Sequence, residues 1–348
     1  MKNIFFLSML LFVSCNKAED FSIPYLYENC DYLLDYSTPQ TYTLQELSTI
    51  TANVNLKNIQ FVSEKVGYLH AGNNVGGYGE IFKTEDGGQN WQDLSLDLTE
   101  TSLSMLFINE QMGLLTHYGG KGNLWRTEDG GTTWQSQSFD NLNGHLYHLS
   151  QDENGHIYAI TSDLNSPATI VKSVDSGMSW TIFKEGLAID FSLIRSGFFL
   201  LSNKVYVTVE GGQLLMLNNT GNIEKTIETG LSRFWDIQLI DGQHFVMVGD
   251  GQVIRTNNGG QSWQQIHDRT ARIINFSSPQ KGWMLLNKSN CFTDVYQVND
   301  VLAYTHDGGS TWEESEERTN WMLHFNGYHQ MVGNDYLIVF DKSIFRLK

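Results

Sequence analysis

Short apolar segments alternate with segments rich in Gly, Asn and Asp along most of the chain. The first clear unit reads "NIQFV" (58–62), "VGYLHAG" (66–72) and "GEIFKTE" (79–85). Short runs of this kind, bounded by turn residues, predict β-strands, whereas helices would need longer segments with a 3.6-residue period. The sequence has 32 Gly, 4 Pro, 15 Tyr and 9 Trp, which suits strands joined by tight turns. The pattern therefore predicts an all-β chain.

One motif recurs in the turns, with the pattern Ser/Thr-x-Asp-x-Gly-x-x-Trp, and we call it the box. It occupies 84–91, 127–134, 173–180, 256–263 and 305–312. Its Asp and Trp positions are, in order, Asp86 and Trp91, Asp129 and Trp134, Asp175 and Trp180, Asn258 and Trp263, and Asp307 and Trp312.

The spacing of the boxes indicates the size of the repeated unit. The interval between the third and fourth boxes is about twice the others, and midway through it "LNNTGNIE" places Asn219 at the Asp position and Gly221 in register. This segment is interpreted as a sixth, decayed copy. The resulting period of about 44 residues matches one four-stranded propeller blade.

The two ends of the repeat array predict how the ring closes. After Trp312 the chain holds roughly three apolar segments and no box, whereas "TYTLQELSTI" (41–50) is strand-like and has no blade of its own. Pairing the N-terminal strand with the last sheet would satisfy an open sheet edge. We therefore predict a single seven-bladed β-propeller of four-stranded antiparallel blades over residues 41–348, closed by an N-terminal strand.

The chemistry of the box favours a structural role. Asp can accept hydrogen bonds from the N–H groups of its own turn, Gly supplies positive φ, and Trp buries a large ring. Asn258 retains an acceptor but could not replace a catalytic carboxylate. We therefore expect no catalytic residue among the boxes.

The boxes are similar to the Asp-boxes, or bacterial neuraminidase repeats, of sialidases, sortilin-type receptors and photosystem II assembly factor-like proteins. The unit that ends in "GEIFKTEDGGQNW" (79–91) looks most like the photosystem II assembly and stability factor-like family. The resemblance covers about residues 57–348. It implies a propeller whose boxes lie on the face away from the ligand, and a non-enzymatic role in assembly.

A sialidase-like, glycan-active hydrolase is the alternative. The marker Phe/Tyr-Arg-Ile-Pro of sialidases corresponds here to "FSIP" (21–24), with Ser22 at the Arg position. Arg126 and Arg255 immediately precede boxes, so the repeat explains them. Other glycosidases require two carboxylates across a sugar, and no motif marks such a pair.

The N-terminus predicts export. Residues 1–14 form a short signal peptide with Lys2 followed by an apolar segment, and Cys15 follows a small residue as in the lipobox of bacterial lipoproteins. An ordinary signal peptide cleaved nearby is the alternative. We expect a lipidated Cys15, a tether over 15–40, and a location in the bacterial cell envelope, with the outer membrane favoured.

Cys30 and Cys291 are the remaining cysteines. An oxidising envelope permits a disulfide between them, and two separate thiols remain the alternative.

Net charge narrows the expected partners. The formal charge of −17 disfavours nucleic acid and anionic lipid, so membrane contact is expected only through the lipid anchor. We expect a monomer that binds a protein or glycan, with no cofactor and no metal. The histidines of "HLYH" (145–148) have poor metal-ligand spacing in a strand.

A binding face is predicted on the loops between second and third strands and at the starts of inner strands. Aromatic and Arg side chains are the usual anchors of such surfaces. The candidate residues are His70, Tyr78, His117, Tyr118, Lys121, Arg233, Trp235, Arg272 and Trp321.

Overall fold

The computed structural model describes the backbone of most residues from Leu44 onward. The described ranges are 44–50, 56–72, 79–94, 102–118, 121–162, 167–189, 198–269, 271–287, 299–314, 319–320, 328–332, 335–340 and 343–347. The predicted signal peptide, tether, Cys15, Cys30 and Cys291 lie outside these ranges, as do Tyr78 and Trp321.

β-Strands are the only regular secondary structure among the described residues, and they follow one another as antiparallel hairpins. In chain order the strands are β1 (Leu44–Thr49), β2 (Leu56–Phe61), β3 (Gly67–Gly72), β4 (Gly79–Thr84), β5 (Gln92–Asp93), β6 (Ser102–Phe107), β7 (Gly113–His117), β8 (Leu124–Thr127), β9 (Gln135–Gln137), β10 (His145–Gln151), β11 (Ile157–Ser162), β12 (Ala168–Ser173), β13 (Thr181–Leu187), β14 (Phe198–Leu201), β15 (Lys204–Val209), β16 (Gln213–Leu217), β17 (Ile223–Glu228), β18 (Asp236–Leu239), β19 (Phe245–Gly249), β20 (Gln252–Thr256), β21 (Gln264–His267), β22 (Ala271–Phe276), β23 (Gly282–Asn287), β24 (Asn299–Thr305), β25 (Glu313–Glu314), β26 (Thr319–Asn320), β27 (Tyr328–Val332), β28 (Asp335–Phe340) and β29 (Ser343–Leu347).

The strands build an all-β propeller with four-stranded antiparallel blades, but the prediction of seven such blades is wrong. Six sheets have four strands: β2–β5, β6–β9, β10–β13, β14–β17, β18–β21, and β27–β29 together with β1. The sheet that carries the last box has five, because β26 also pairs with β24. The physical reason is that β25 covers only Ala303 and Tyr304 of β24, and β26 pairs with Asn299 and Asp300 beyond it.

The N-terminal strand joins the C-terminal sheet, as the sequence predicts. Strand β1 pairs antiparallel with β29, from Leu44 opposite Leu347 to Thr49 opposite Ser343. Ile50 and Ile344 share a buried cluster with Ile59 and Phe61 of the first blade. The Ser48 hydroxyl also donates to the Gly88 carbonyl at 2.7 Å, so the closing strand is held to the first blade as well.

A Phe–Gly–Trp unit forms the small core at the box end of several blades. Phe61 packs edge-on against Trp91, with ring centroids 6.0 Å apart, and a Cβ on Gly67 would lie 2.7 Å from the Phe61 ring. The same relation links Phe107, Gly113 and Trp134, and again Phe276, Gly282 and Trp312. The glycine therefore leaves the space that the phenyl ring occupies.

Neighbouring blades are joined along their inner strands by side chains that bond to backbone. The Gln60 amide donates to the Phe107 carbonyl at 2.8 Å and accepts from the Phe107 N–H at 2.7 Å. Gln238 makes the same pair of bonds to Phe276. These bonds add direction to apolar packing that alone would be non-directional.

Replacing Trp91 with Ala should lower the free energy of unfolding. The ring is half-buried against Phe61, and its N–H donates to the Gly88 carbonyl at 3.0 Å. We expect a loss of about 3 kcal/mol, the lower end for a truncated aromatic side chain. Equilibrium denaturation measures it, with the exposed neighbour Gln92→Ala as control; equal midpoints for the two variants would contradict this role.

Candidate functional site

The box carboxylates are engaged within their own turns. In the first box, the Thr84 hydroxyl and the Asn90 N–H each donate to Asp86 Oδ1 at 2.9 Å, and Asn90 Nδ2 donates to Oδ2 at 2.7 Å. Asp129, Asp175 and Asp307 accept the same three types of bond from their own boxes. Both oxygens of each carboxylate therefore already have partners.

These hydrogen bonds keep the box carboxylates ionised. The backbone N–H and hydroxyl of Thr311 lower the pKa of Asp307 to about 2. Bonds from Asn90 lower the pKa of Asp86, and those from Thr133 lower that of Asp129. A general acid would need the opposite shift, so the boxes are poor acid–base groups.

Asn258 shows how an amide fits the same turn. Its Oδ1 accepts from the Ser262 N–H at 3.0 Å, and its Nδ2 donates to the Ser262 hydroxyl at 2.9 Å. Because a hydroxyl can accept as well as donate, Ser262 tolerates either Asp or Asn opposite it.

The sixth copy departs from the box geometry. The sequence pattern assigns the Asp role to Asn219, but Asn218 Oδ1 is the atom that accepts from the N–H groups of Thr220 and Asn222. The Gly221 N–H donates to the Asn218 carbonyl, which closes a tight hairpin between β16 and β17. The prediction located the turn but assigned the wrong asparagine, because a shorter turn moves the accepting side chain back by one residue.

The face opposite the boxes carries an aromatic cluster, which we call the loop-face cluster: His117, Tyr118, His145 and Tyr147. Successive hairpins place the connections β7–β8 and β9–β10 at the sheet edge away from the boxes. The Tyr118 ring stacks on His145 with centroids 3.9 Å apart, and His145 meets Tyr147 edge-on at 6.1 Å. Tyr118 is 45% exposed, which makes it the outward part of the cluster.

Two members of the loop-face cluster, His145 and Tyr147, are uncharged near neutral pH. Burial, followed by the proximity of His117, lowers the pKa of His145. Burial, followed by the proximity of Tyr118, raises the pKa of Tyr147 to about 12. A neutral imidazole and a neutral phenol can stack and hydrogen-bond, but they supply neither a carboxylate nor a fixed positive charge.

The other predicted binding residues are dispersed. His70 is buried in β3 at 1% exposure, and Trp235 packs beside the core between the β18–β21 blade and the five-stranded sheet. Lys121 is exposed and forms an ion pair with Asp140 at 2.9 Å, close in sequence to Tyr118. Arg233 is exposed at the approach to β18. For Arg272 the structure describes only its place in β22.

Sequence reasoning missed His145 and Tyr147 as members of a site. The spacing of "HLYH" bears only on metal binding, and in the described ranges no group of three His, Cys, Asp or Glu is arranged to hold a metal ion. The signal in the sequence was Tyr118, which directly follows β7 in a connection predicted to bind. Its stacking partner His145 lies in the next blade, so a single repeat does not reveal the pair.

A central cavity of about 430 Å³ is the other candidate. Inner strands of five blades line it, and three of its polar side chains bond to the backbone: Asn58 donates to the Met105 carbonyl, Ser104 accepts from the Leu149 N–H, and Gln238 pairs with the backbone of Phe276. His148 also lines it, from a left-handed backbone position at φ 54°. Burial lowers the pKa of His148 to about 4, so it is neutral.

No described helix is long and apolar enough to span a membrane.

Solved structures of other proteins match this chain over most of its length. A structure of YCF48 bound to D1 peptide is 18% identical, with a TM-score of 0.63 over 91% of this chain and 97% of that one. YCF48 from Cyanidioschyzon merolae is 12% identical, with a TM-score of 0.61 over 87% and 98%. The WD40 propeller domain of Doa1 is 10% identical, with a TM-score of 0.55 over 88% and 97%. No protein-family model and no curated protein matches the chain.

These likenesses support the propeller fold and its similarity to the fold of YCF48. At such identities they describe the fold alone, so function depends on the surfaces of this chain.

Acid should destabilise the protein through its boxes. Because the folded pKa of Asp307 lies near 2 and the ordinary value is 3.8, its stabilising contribution is present above pH 4 and is lost as pH falls towards 2. Asp307→Asn, which copies the Asn258 box, should flatten the fall in stability over that window and change little at pH 7. Urea denaturation from pH 2 to 7 measures this, with Glu153→Gln outside the boxes as control; an unchanged acid profile for Asp307→Asn would contradict the assignment.

Proposed function

We propose that this protein is a non-enzymatic binding module whose loop face takes up a segment of a protein partner. The observation that carries the proposal is the half-exposed Tyr118 ring stacked on His145. Exposed aromatic rings on a rigid scaffold are frequent anchors of protein interfaces. The likeness to YCF48 bound to D1 peptide and to a WD40 propeller domain agrees with a binding role.

The balance of charge and acid–base groups favours binding over catalysis. The box carboxylates are ionised and engaged in their turns, and the loop-face cluster contains no carboxylate. A glycan-active hydrolase remains the second candidate, since an aromatic ring can also stack on a sugar. The two differ in turnover: only a hydrolase would release reducing sugar from a glycan.

The proposed setting is the bacterial envelope, with Cys15 carrying lipid and the outer membrane favoured. A multiply acylated cysteine anchors a protein firmly, whereas a single chain binds marginally. The propeller would then face its partner at the membrane surface, within reach of a tether over 15–40.

Tyr118→Ala should remove partner binding without unfolding the protein. Membranes are solubilised, passed over the immobilised protein, and the bound proteins are compared by quantitative mass spectrometry. We expect the variant to retain less than about a tenth of a specific partner, as for loss of an interface anchor. Ile223→Thr is the matched control, since Ile223 is 48% exposed on the outer strand β17. Equal capture by Tyr118→Ala would reject this face, and sugar release from envelope glycans would favour the hydrolase.

Cys15→Ser should abolish lipid attachment. Cells fed radiolabelled palmitate should label the wild-type protein and not the variant, and the variant should move from the membrane to the soluble fraction. Equal labelling would place the modification elsewhere, and no labelling of either form would favour an ordinary cleaved signal peptide.

A further inference from the structure

One blade carries an apolar surface that we call the third-box patch: Val174, Met178 and Ile182. These side chains are 68%, 51% and 55% exposed. Five large hydrophobic side chains are exposed in the described ranges, and three of them fall in this single turn and the strand β13 that leaves it. Single exposed apolar residues are ordinary on a protein surface, but a concentration of this kind indicates contact with something else.

The other boxes show what these positions hold when only folding matters. Positions equivalent to Val174 are Glu85, Glu128, Asn257 and His306; those equivalent to Met178 are Gln89, Thr132, Gln261 and Ser310; those equivalent to Ile182 are Asp93, Ser136, Gln265 and Glu314. All twelve are polar. The fold therefore does not require apolar side chains here, and the third box differs at all three positions.

The patch borders a groove. A cavity of about 380 Å³ lies between β13 and the connection that leads into β10, and Ile182, Val171, Thr161 and Glu185 line it. Its floor is held by Asn141, whose amide donates to the Trp180 carbonyl at 2.8 Å. Met178 lies at the neighbouring blade, where its sulfur accepts from Gln137 Nε2 at 3.7 Å. Methionine adapts its shape to a bound apolar group.

The charges around the patch indicate which kind of partner can bind there. Glu185 lines the groove, the ionised Asp175 adjoins Val174, and the whole chain carries a formal charge of −17. A second copy of this chain would meet like charge, and anionic lipid would be repelled. Basic side chains flanking an apolar one would be attracted. We propose that the third-box patch and its groove dock a basic, apolar segment of a partner protein, through side chains other than those of the loop-face cluster.

The test compares two fluorescein-labelled nonapeptides by anisotropy: one alternates Leu and Arg, and the other alternates Ser and Arg. The key variant is Val174→Asn, Met178→Gln and Ile182→Gln together, which installs the residues of the β18–β21 blade, Asn257, Gln261 and Gln265. It keeps the net charge constant, so nonspecific attraction of Arg is unchanged. Thr132→Gln with Ser136→Gln is the control in the second box.

We expect the wild type and the control to bind the Leu/Arg peptide about tenfold more tightly than the Ser/Arg peptide. The triple variant should lose this preference while keeping its melting temperature within a few degrees. Equal affinity of the wild type for both peptides, or a preference that persists in the folded triple variant, would overturn the proposal. Two other results would also overturn the proposal. One is a wild-type dimer in sedimentation that the triple variant does not form, and the other is wild-type binding to phosphatidylcholine vesicles that the triple variant loses.

Discussion

The hydrogen bonds of the box turn are the constraint on which the five box-bearing sheets depend. A Ser or Thr hydroxyl donates to the Asp carboxylate and accepts from the N–H of the second Gly, as Thr84 does with Asp86 and Gly88 at 2.9 Å. In four boxes the first Gly also donates to a carbonyl of the hairpin between the first and second strands; in the first box this bond runs from Gly87 to Lys65 at 2.9 Å. One motif therefore fixes two turns of the same sheet, and with them the register of its strands.

This use of the boxes makes the two faces of the propeller chemically unequal. On the box face, carboxylates and backbone groups bond to one another, so change at a box Asp acts on stability. On the opposite face, the connections carry no repeated motif, and aromatic side chains such as Tyr118 and His145 come from different blades. Because the loop-face cluster combines side chains from two blades, its residues can change without altering the box turn that folds either blade.

The sequence predicted those features that are local to one repeat. Box spacing indicated the unit size, and the apolar segment at 41–50 indicated the closing strand, because a blade that lacks its outer strand leaves backbone groups unpaired. The sequence did not predict features that depend on the length of a turn or strand, or on contacts with a neighbouring blade. The accepting side chain is Asn218 and not Asn219, because the β16–β17 turn is shorter than a box turn. Strand β26 pairs with β24 because β25 covers only part of that strand. Likewise, burial of His70 and stacking of Tyr118 on His145 depend on inter-blade packing, which a single repeat does not encode.

Repetition within one chain supplies the reference that an alignment of relatives would otherwise give. Each box position occurs five times under the same folding requirement. A residue that differs from its equivalents therefore either still satisfies that requirement or reflects a different one. Asn258 differs but still accepts from the Ser262 N–H, and its bond to the Ser262 hydroxyl is reversed in direction and not lost, which marks it as a neutral exchange within the fold. Val174, Met178 and Ile182 differ by placing apolar surface in water, where burial would be favourable. The fold alone gives no gain from that exposure, so the cause lies in what contacts the surface.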